Sequence, residues 1–345
     1  MTEIHGMTAA ALRRWRWRRA ATVAGTGAAR YAKIGDSISA GQGLQPSTQS
    51  PPVVMAGMLA AQGFPVRGAS VIMNPRTRTA DSRLAFRGAW SELDQDALTT
   101  YAASRTAGDS IEFTASIGDA GDYRARVIHG ADSRPFRIGV DGGEAVLVTP
   151  RGGVGPMATE IPLQGLAAGE HRVTVTVAGD AGVLQVGSIG IEASAGIAVG
   201  DFGISMSTTE DWVAGGAPYS ALRHVVAWAP DLAIIALMTN DAHGLAVPPD
   251  RYAANLRAMV DALVGDCDVV LEVQIPGDPA LVDLDPYRKA VYAVADETGV
   301  PVLDLFDRWG DFGAARDAGL MNDMFHPNAT GAADIAAAEL AVVTA

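Results

Sequence analysis

The residues of this chain that could do chemistry are a serine near one end and a histidine near the other. Ser37 follows a short apolar run, in the segment Gly35-Asp36-Ser37, and small, turn-forming residues come directly after it. A serine hydroxyl becomes a good nucleophile only when a neighbouring base takes its proton. His326 can be that base, and Asp323 can orient the imidazole and stabilise its charged form. These residue types indicate acyl transfer through a covalent intermediate.

Four short blocks, in their order along the chain, resemble the SGNH hydrolases, also called the GDSL family of esterases and lipases. The blocks are GDSIS from Gly35, VGDFGISMS around Gly203, LMTNDAHG around Asn240, and Asp323-Met324-Phe325-His326 followed by Pro-Asn. The resemblance covers 30–80 and 197–345. The family usually has a glycine two residues before the asparagine, where this chain has Met238.

The resemblance implies a serine esterase that needs no cofactor and no metal. It implies a triad of Ser37, His326 and Asp323, and an oxyanion hole made by the Ser37 amide, the Gly203 amide and the Asn240 side chain. Glycine lets the backbone approach closely, and an asparagine amide is a neutral donor that does not compete for the proton. The GxSxG pattern of the α/β-hydrolases is absent around Ser37.

Several similar residues carry weaker signals. A second Gly-Asp-Ser, at Gly108–Ser110, enters an alternating apolar run and is expected to be a plain turn. Asp241 is expected to brace its loop. His243 and Trp212 are candidate substrate contacts, although the sequence favours a structural or solvent-facing role for His243 and is at least as compatible with core packing for Trp212. No cluster of His, Cys and carboxylates has metal-ligand spacing.

The elements that must position these residues alternate between strand and helix at both ends of the chain. Apolar runs at 31–34, 231–237, 269–275 and 300–306 predict buried strands, with amphipathic helices between them. This alternation predicts a parallel sheet covered by helices on both faces, and the resemblance implies the flavodoxin-like α/β/α version. Sites in such sheets form at the carboxyl ends of strands, so all the candidate residues can meet at one edge.

The middle of the chain has a different period of apolar residues. Between 81 and 196, apolar and polar residues alternate in short runs, such as Ile111–Ala115, Tyr123–Val127 and Val173–Val177, with glycine-rich turns between them. This pattern predicts an antiparallel β-sandwich. Phe86–Trp90 and Gly165–His171 loosely resemble segments of jelly-roll carbohydrate-binding modules. We therefore predict a hydrolase domain of 1–80 and 197–345 interrupted by a sandwich of 81–196.

Composition narrows the possible partners. The 345 residues carry a net charge of −13 with a pI near 4.8, which argues against nucleic acid as a partner. The single cysteine, Cys267, excludes an intramolecular disulfide. No apolar run approaches the ~18 residues of a membrane span.

The arginine-rich segment Ala9–Gly25 has three interpretations. It is expected to be a helix with Leu12 and Trp15 packed on the domain and its arginines in water. A secretion signal and a basic docking surface are the alternatives. An extracellular or surface-associated location is favoured, without a clear signal peptide, and a cytoplasmic one stays open.

The leading hypothesis is a serine esterase that hydrolyses O-acyl esters, with acetyl groups on a carbohydrate as the expected substrate. The prediction that the substrate is a carbohydrate rests on an analogy between the inserted sandwich and carbohydrate-binding modules. A lipid esterase or thioesterase on the same site is the nearest alternative. A glycan-binding or structural protein of a cell surface or virion, with a vestigial hydrolase fold, is the alternative from another class.

Overall fold

A mixed sheet of twelve described strands runs through the molecule, and a five-stranded antiparallel sheet packs against part of it. The computed structural model describes residues 4–8, 11–73, 80–92, 101–214, 219–243 and 247–345. In chain order, the described strands are β1 (Ile4–His5), β2 (Ala28–Gly35), β3 (Val66–Ile72), β4 (Leu84–Arg87), β5 (Ser91–Glu92), β6 (Ala102–Ser104), β7 (Ser110–Ile117), β8 (Gly121–Gly130), β9 (Phe136–Val140), β10 (Val146–Val148), β11 (Pro156–Leu166), β12 (Gly169–Val177), β13 (Leu184–Ala193), β14 (Gly196–Gly203), β15 (Leu232–Ala236), β16 (Asp268–Val273) and β17 (Val302–Asp304).

Helices cover both faces of the parallel part of the large sheet. The described helices are α1 (Arg13–Val23), α2 (Ser37–Ala40), α3 (Pro46–Gln49), α4 (Pro51–Ala61), α5 (Thr209–Val213), α6 (Ala221–Trp228), α7 (Thr239–Ala242), α8 (Pro249–Leu263), α9 (Asp285–Thr298), α10 (Leu305–Trp309), α11 (Phe312–Asp317) and α12 (Ala329–Thr344). One apolar core lies under α6, α8 and α9, and another lies under α1, α4 and α12. The predicted three-layer α/β/α architecture is confirmed.

The parallel strands are arranged in the order β14-β2-β15-β16-β17. Numbered by their place in this set, the order is 2-1-3-4-5, which is the flavodoxin-like order. Strand β3 adds a further parallel strand outside β14. The direction in which successive strands are added to the sheet reverses at β2. In such sheets, ligands bind beyond the carboxyl ends of the strands at the point of reversal. Ser37 lies there, directly after β2.

The inserted sandwich is present, and its two sheets enclose a core of their own. The predicted alternation holds, since Phe113, Ala125 and Val175 are buried on β7, β8 and β12. One sheet follows the order β10-β9-β12-β7-β4. The other is continuous with the hydrolase sheet, because β13 pairs antiparallel with β3. The domain boundaries at 80/81 and 196/197 therefore stay a prediction, since one sheet crosses both of them.

The arginine-rich segment forms α1 and packs on the hydrolase half, and Ala9 and Ala10 lie outside the described residues. Leu12 and Trp15 are buried, and the Trp15 indole N–H donates to the Val343 carbonyl at 2.8 Å. These contacts favour the packed-helix interpretation. Among the described helices, none is long and apolar enough to cross a membrane.

Helices α8 and α9 each carry an aspartate near their start, Asp250 and Asp285. Neither aspartate is the N-cap, because Pro248 and Leu284 occupy those positions. The aspartates lie in the first turn instead, next to a proline. A proline in the first turn supplies the helical φ angle and lacks an N–H that would need a cap.

A lysine with two glutamates is buried inside the hydrolase half. Lys33 Nζ lies 2.6 Å from Glu272 Oε2 and 2.7 Å from Glu339 Oε1, and the three side chains are 1%, 2% and 0% exposed. Glu339 also accepts the Tyr31 hydroxyl at 2.8 Å. Burial raises the pKa of Glu272, although the neighbouring Lys33 opposes the shift. The lysine stabilises two carboxylates that cannot reach water.

We expect Lys33→Met to lower the free energy of unfolding at pH 7 by about 3–5 kcal/mol, since it leaves buried carboxylates without a cation. Urea unfolding followed by circular dichroism measures this change. Arg251→Met, which breaks the exposed pair with Glu210, is the control and should cost less than about 1 kcal/mol. Equal effects of the two substitutions would contradict the importance of the buried cluster.

Candidate active site

The turn after β2 presents the Ser37 hydroxyl. Asp36 is the N-cap of α2, and its Oδ1 accepts the Ile38 N–H at 2.9 Å. Gly35 is favoured here because a Cβ would lie 2.7 Å from the Ser39 Cβ and 3.0 Å from the Ala236 carbonyl oxygen. Burial raises the pKa of Asp36, although hydrogen bonds from Gln274 and Ile38 oppose the shift. The serine therefore begins a one-turn helix whose backbone is packed tightly against the sheet.

The loop before α12 brings a histidine and an aspartate to this serine. His326 Nε2 lies 2.9 Å from Ser37 Oγ, and His326 Nδ1 lies 2.9 Å from Asp323 Oδ2. Asp323 Oδ1 also accepts the backbone N–H groups of Phe325 and His326, at 2.8 and 2.7 Å. Partial burial would raise the pKa of Asp323, but these N–H groups and the imidazole outweigh it and hold the pKa below its usual value. The aspartate is therefore an ionised acceptor for the imidazole N–H.

Gly203 is the last residue of β14, one strand away from the serine. Its position is level with Gly35 in the parallel pairing of β14 with β2. A Cβ at this position would lie 2.3 Å from the Ala40 backbone nitrogen, so only glycine lets α2 approach this closely. The Gly203 N–H lies 3.4 Å from Asp201 Oδ1. The strand continues as far as Gly203, and both β2 and β3 pair with it.

Asn240 lies in α7, which follows β15 on the other side of β2. Its Nδ2 donates to the Ser207 carbonyl at 3.0 Å, and Ser207 Oγ in turn donates to the Gly35 carbonyl at 3.4 Å. An amide nitrogen carries two hydrogens, so this contact uses one of them. Met238 replaces the family's glycine and is buried in the core beneath. The asparagine is thus tied to the segment that leaves Gly203.

Asp241 braces the two segments, as predicted. Its carboxylate accepts the Thr209 N–H at 3.0 and 3.1 Å and the Thr209 hydroxyl at 2.5 Å. Thr209 begins α5, which follows β14. Burial raises the pKa of Asp241 to about 7, against the lowering effect of the bonds from Thr209.

The two candidate substrate contacts have different surroundings. Trp212 is fully buried, and its indole N–H donates to Ser207 Oγ at 3.0 Å. It therefore packs in the core, because its ring fills the space beneath the Ser207 segment, and it does not line a cleft. His243 is partly exposed, and its ring packs against Phe325 at a centroid distance of 4.7 Å. Phe325 precedes His326, so His243 lies next to the site.

The remaining motifs are structural. Asp109 of the second Gly-Asp-Ser accepts the Ala89 N–H and the Ser104 hydroxyl, which holds a turn together as expected. His224 is fully buried between the Phe202 and Tyr101 rings. His171 bridges Asp141 and the Ala167 carbonyl within the sandwich.

Sequence reasoning missed one buried polar side chain, Gln274. It follows β16 and contacts both Asp36 and the Thr239 backbone. The available signal was a second polar residue, two positions after Glu272, at the carboxyl end of the mostly apolar run VVLEVQI.

Comparison with known proteins relates part of the chain to a known family. The model of the GDSL-like Lipase/Acylhydrolase family matches residues 190–333, which include Gly203, Asn240, Asp323 and His326. No curated protein matches the chain significantly.

Solved structures resemble the chain to different extents. A peptidoglycan O-acetylesterase is 17% identical, with a TM-score of 0.74 over 99% of this chain and 97% of that one, so the two share a fold. A Bacillus subtilis protein is 14% identical, with a TM-score of 0.40 over 80% and 97% of the two chains. A family two carbohydrate esterase from Clostridium thermocellum, solved with cellohexaose, is 13% identical, with a TM-score of 0.35 over 76% and 98%.

Asp241 should make stability depend on pH. A carboxyl whose pKa rises on folding stabilises the fold fully below its unfolded value, ~3.9, and this contribution is lost as pH rises to about 7. We expect Asp241→Asn to gain stability relative to wild type between pH 4 and 8, by about 3–4 kcal/mol. Urea unfolding across this range measures the difference. Exposed Asp250→Asn on α8 is the control, and a constant difference for Asp241→Asn would refute the prediction.

Proposed function

We propose that this carboxylic ester hydrolase, whose residues 190–333 match the model of the GDSL-like lipase/acylhydrolase family, removes O-acetyl groups from a carbohydrate by serine catalysis. The observation that carries the serine mechanism is the 2.9 Å contact between His326 Nε2 and Ser37 Oγ. A general base must lie within hydrogen-bond reach of the proton that it removes. This contact already has that length.

The proposed reaction has two halves. His326 Nε2 takes the Ser37 proton while Ser37 Oγ bonds to the ester carbonyl carbon. The tetrahedral intermediate then collapses, the bond to the sugar oxygen breaks, and His326 returns the proton to that oxygen. Water, deprotonated by His326, then attacks the carbonyl carbon of the acyl-serine. The bond from this carbon to Ser37 Oγ breaks, His326 returns the proton to Ser37 Oγ, and acetate leaves. Asp323 accepts the His326 Nδ1–H throughout and stabilises the imidazolium.

Three donors are proposed for the oxyanion: the Ser37 N–H, the Gly203 N–H and the Asn240 amide. Their segments follow β2 and its two neighbours, β14 and β15. Donors fixed before the reaction stabilise the developing charge without reorganising. The tight approach of α2 to Gly203 and the tether of Asn240 to Ser207 support such a fixed arrangement.

The acetyl and carbohydrate parts of the proposal have two supports. The fold is shared, over nearly the whole of both chains, with a peptidoglycan O-acetylesterase. The inserted sandwich, which is loosely similar to carbohydrate-binding modules, is also continuous with the sheet that carries the site. A lipid esterase would use the same residues but would favour long acyl chains.

The proposal predicts that the chain hydrolyses p-nitrophenyl acetate faster than the octanoate ester, and that Ser37→Ala abolishes hydrolysis of both. The rate should fall at acid pH, because a protonated imidazole cannot act as the base. Activity equal in wild type and Ser37→Ala would contradict the serine mechanism. A preference for octanoate would favour the lipid esterase.

The substrate is tested by acetate release from O-acetylated peptidoglycan and O-acetylated xylan, with chemically deacetylated samples as controls. We expect wild type, and not Ser37→Ala, to release acetate from at least one of them. If p-nitrophenyl acetate is hydrolysed while neither polymer is, the carbohydrate part of the proposal is wrong and the esterase part stands.

Asn240→Ala tests the proposed oxyanion donor. We expect kcat for p-nitrophenyl acetate to fall by about 10²–10³-fold, with KM little changed, since the donor acts on charge that develops only in the transition state. Steady-state kinetics measures both constants, and thermal unfolding checks that the variant is folded. A folded variant with wild-type kcat would exclude Asn240 from this role.

A further inference from the structure

Gln274 lies directly beneath the candidate site, between two of its segments. It follows β16 and is fully buried. Its Nε2 donates to Asp36 Oδ2 at 3.0 Å and to the Ala236 carbonyl at 2.9 Å, and its Oε1 accepts the Thr239 N–H at 2.8 Å. One amide therefore satisfies three buried polar groups.

The chemistry of these partners fixes the orientation of the amide. Asp36 Oδ2 and the Ala236 carbonyl both need a donor, whereas the Thr239 N–H needs an acceptor. Only the NH₂ group can face the first two and only the carbonyl oxygen can face the third. A flipped amide would place two acceptors together at Asp36 and at Ala236, and two donors together at Thr239. The amide can therefore adopt only one orientation.

The partners of Gln274 adjoin the two parts of the proposed machinery. Asp36 precedes Ser37 and caps its helix. Thr239 precedes Asn240 and begins its helix. We propose that Gln274 is a positioning residue, which holds the nucleophile and the Asn240 donor in one fixed geometry through the Asp36 carboxylate and the Thr239 N–H. This inference rests on the proposed function, because it assigns Gln274 a part in that same reaction.

Gln274 touches no reacting atom, so its effect must pass through its partners. Displacement of a catalytic group by about 1 Å, caused by a change far from the chemistry, can cost about 10²-fold in rate. A buried carboxylate that loses a donor also binds a proton more readily. The charged and titratable groups that interact with Asp36 are Lys33, His326, Asp241, Tyr252 and Glu272. All of them stay in place in the variants below, so comparison with wild type isolates Gln274.

Gln274→Glu keeps the shape and the acceptor for Thr239, but faces Asp36 with a second carboxylate. At pH 9 we expect kcat for p-nitrophenyl acetate to fall by about 10²-fold, with KM unchanged. As pH falls to 6, the two carboxyl groups should share one proton, which restores a donor between them. The ratio of variant to wild-type kcat should therefore rise by about tenfold or more, whereas Gln274→Met should be impaired at every pH.

A second substitution tests the polarity of the contact. In Gln274→Glu combined with Asp36→Asn, an amide at position 36 can accept the Ile38 N–H and donate to the new carboxylate, which reverses the original contact. We expect this double variant to recover much of the kcat lost by Gln274→Glu at pH 9. A residue that only filled space would give no such recovery.

Gln185→Glu is the matched control, because Gln185 is a buried glutamine on β13, in the inserted sandwich. It should leave the kcat ratio independent of pH. Wild-type kcat in both Gln274 variants, or an equal loss at all pH values with no recovery in the double variant, would overturn the inference. If wild type itself shows no Ser37-dependent activity, the proposed function fails instead. Thermal unfolding of each variant separates loss of geometry from loss of fold.

Discussion

The candidate site depends on the parallel pairing of β2 with a strand on each side. Gly35 at the end of β2 is level with Gly203 on β14 and with Ala236 on β15. The backbone therefore leaves three neighbouring strands at one height, and the turns that carry Ser37, Gly203 and Asn240 converge. A slip of one residue in either pairing would turn alternate side chains to the other face of the sheet.

Beneath this edge, the interior of the hydrolase half contains several buried charged and polar side chains. Lys33 neutralises two glutamates, Asp36 accepts an N–H and an amide, and Asp241 holds the start of α5. Buried charges cost stability unless they are paired and hydrogen-bonded. Such groups have only one arrangement in which all their hydrogen bonds and ion pairs are formed, whereas apolar side chains can pack in several arrangements. The polar layer can therefore fix the turns above it, and Gln274 links two of them.

The inserted sandwich is part of this same construction. Strand β3 pairs with β14 on one side and with β13 on the other, so the hydrolase sheet and one sheet of the sandwich are a single hydrogen-bonded surface. Arg126 of β8 reinforces the junction, since its guanidinium donates to the carbonyls that end α6, at 3.2 and 3.1 Å. Along the sequence, the insertion also lies between Ser37 and the other site residues, which fall in the matched segment 190–333. In space, His326 of this segment contacts the nucleophile.

The sequence by itself determined the period of each segment and the residue types of the site. The runs around Phe113 and Val175 alternate apolar and polar residues, and such runs bury one apolar face only when they form strands. Ser37, Asn240 and His326 lie in sequence blocks that resemble those of a known family. Sequence could not predict that β13 would pair with β3, because strand pairing depends on which edge is left open. Nor could it predict that Gln274 would contact both Asp36 and Thr239, or that Trp212 would be buried. Those contacts join residues far apart in the chain, and only the packing of the strands and helices decides which of them meet.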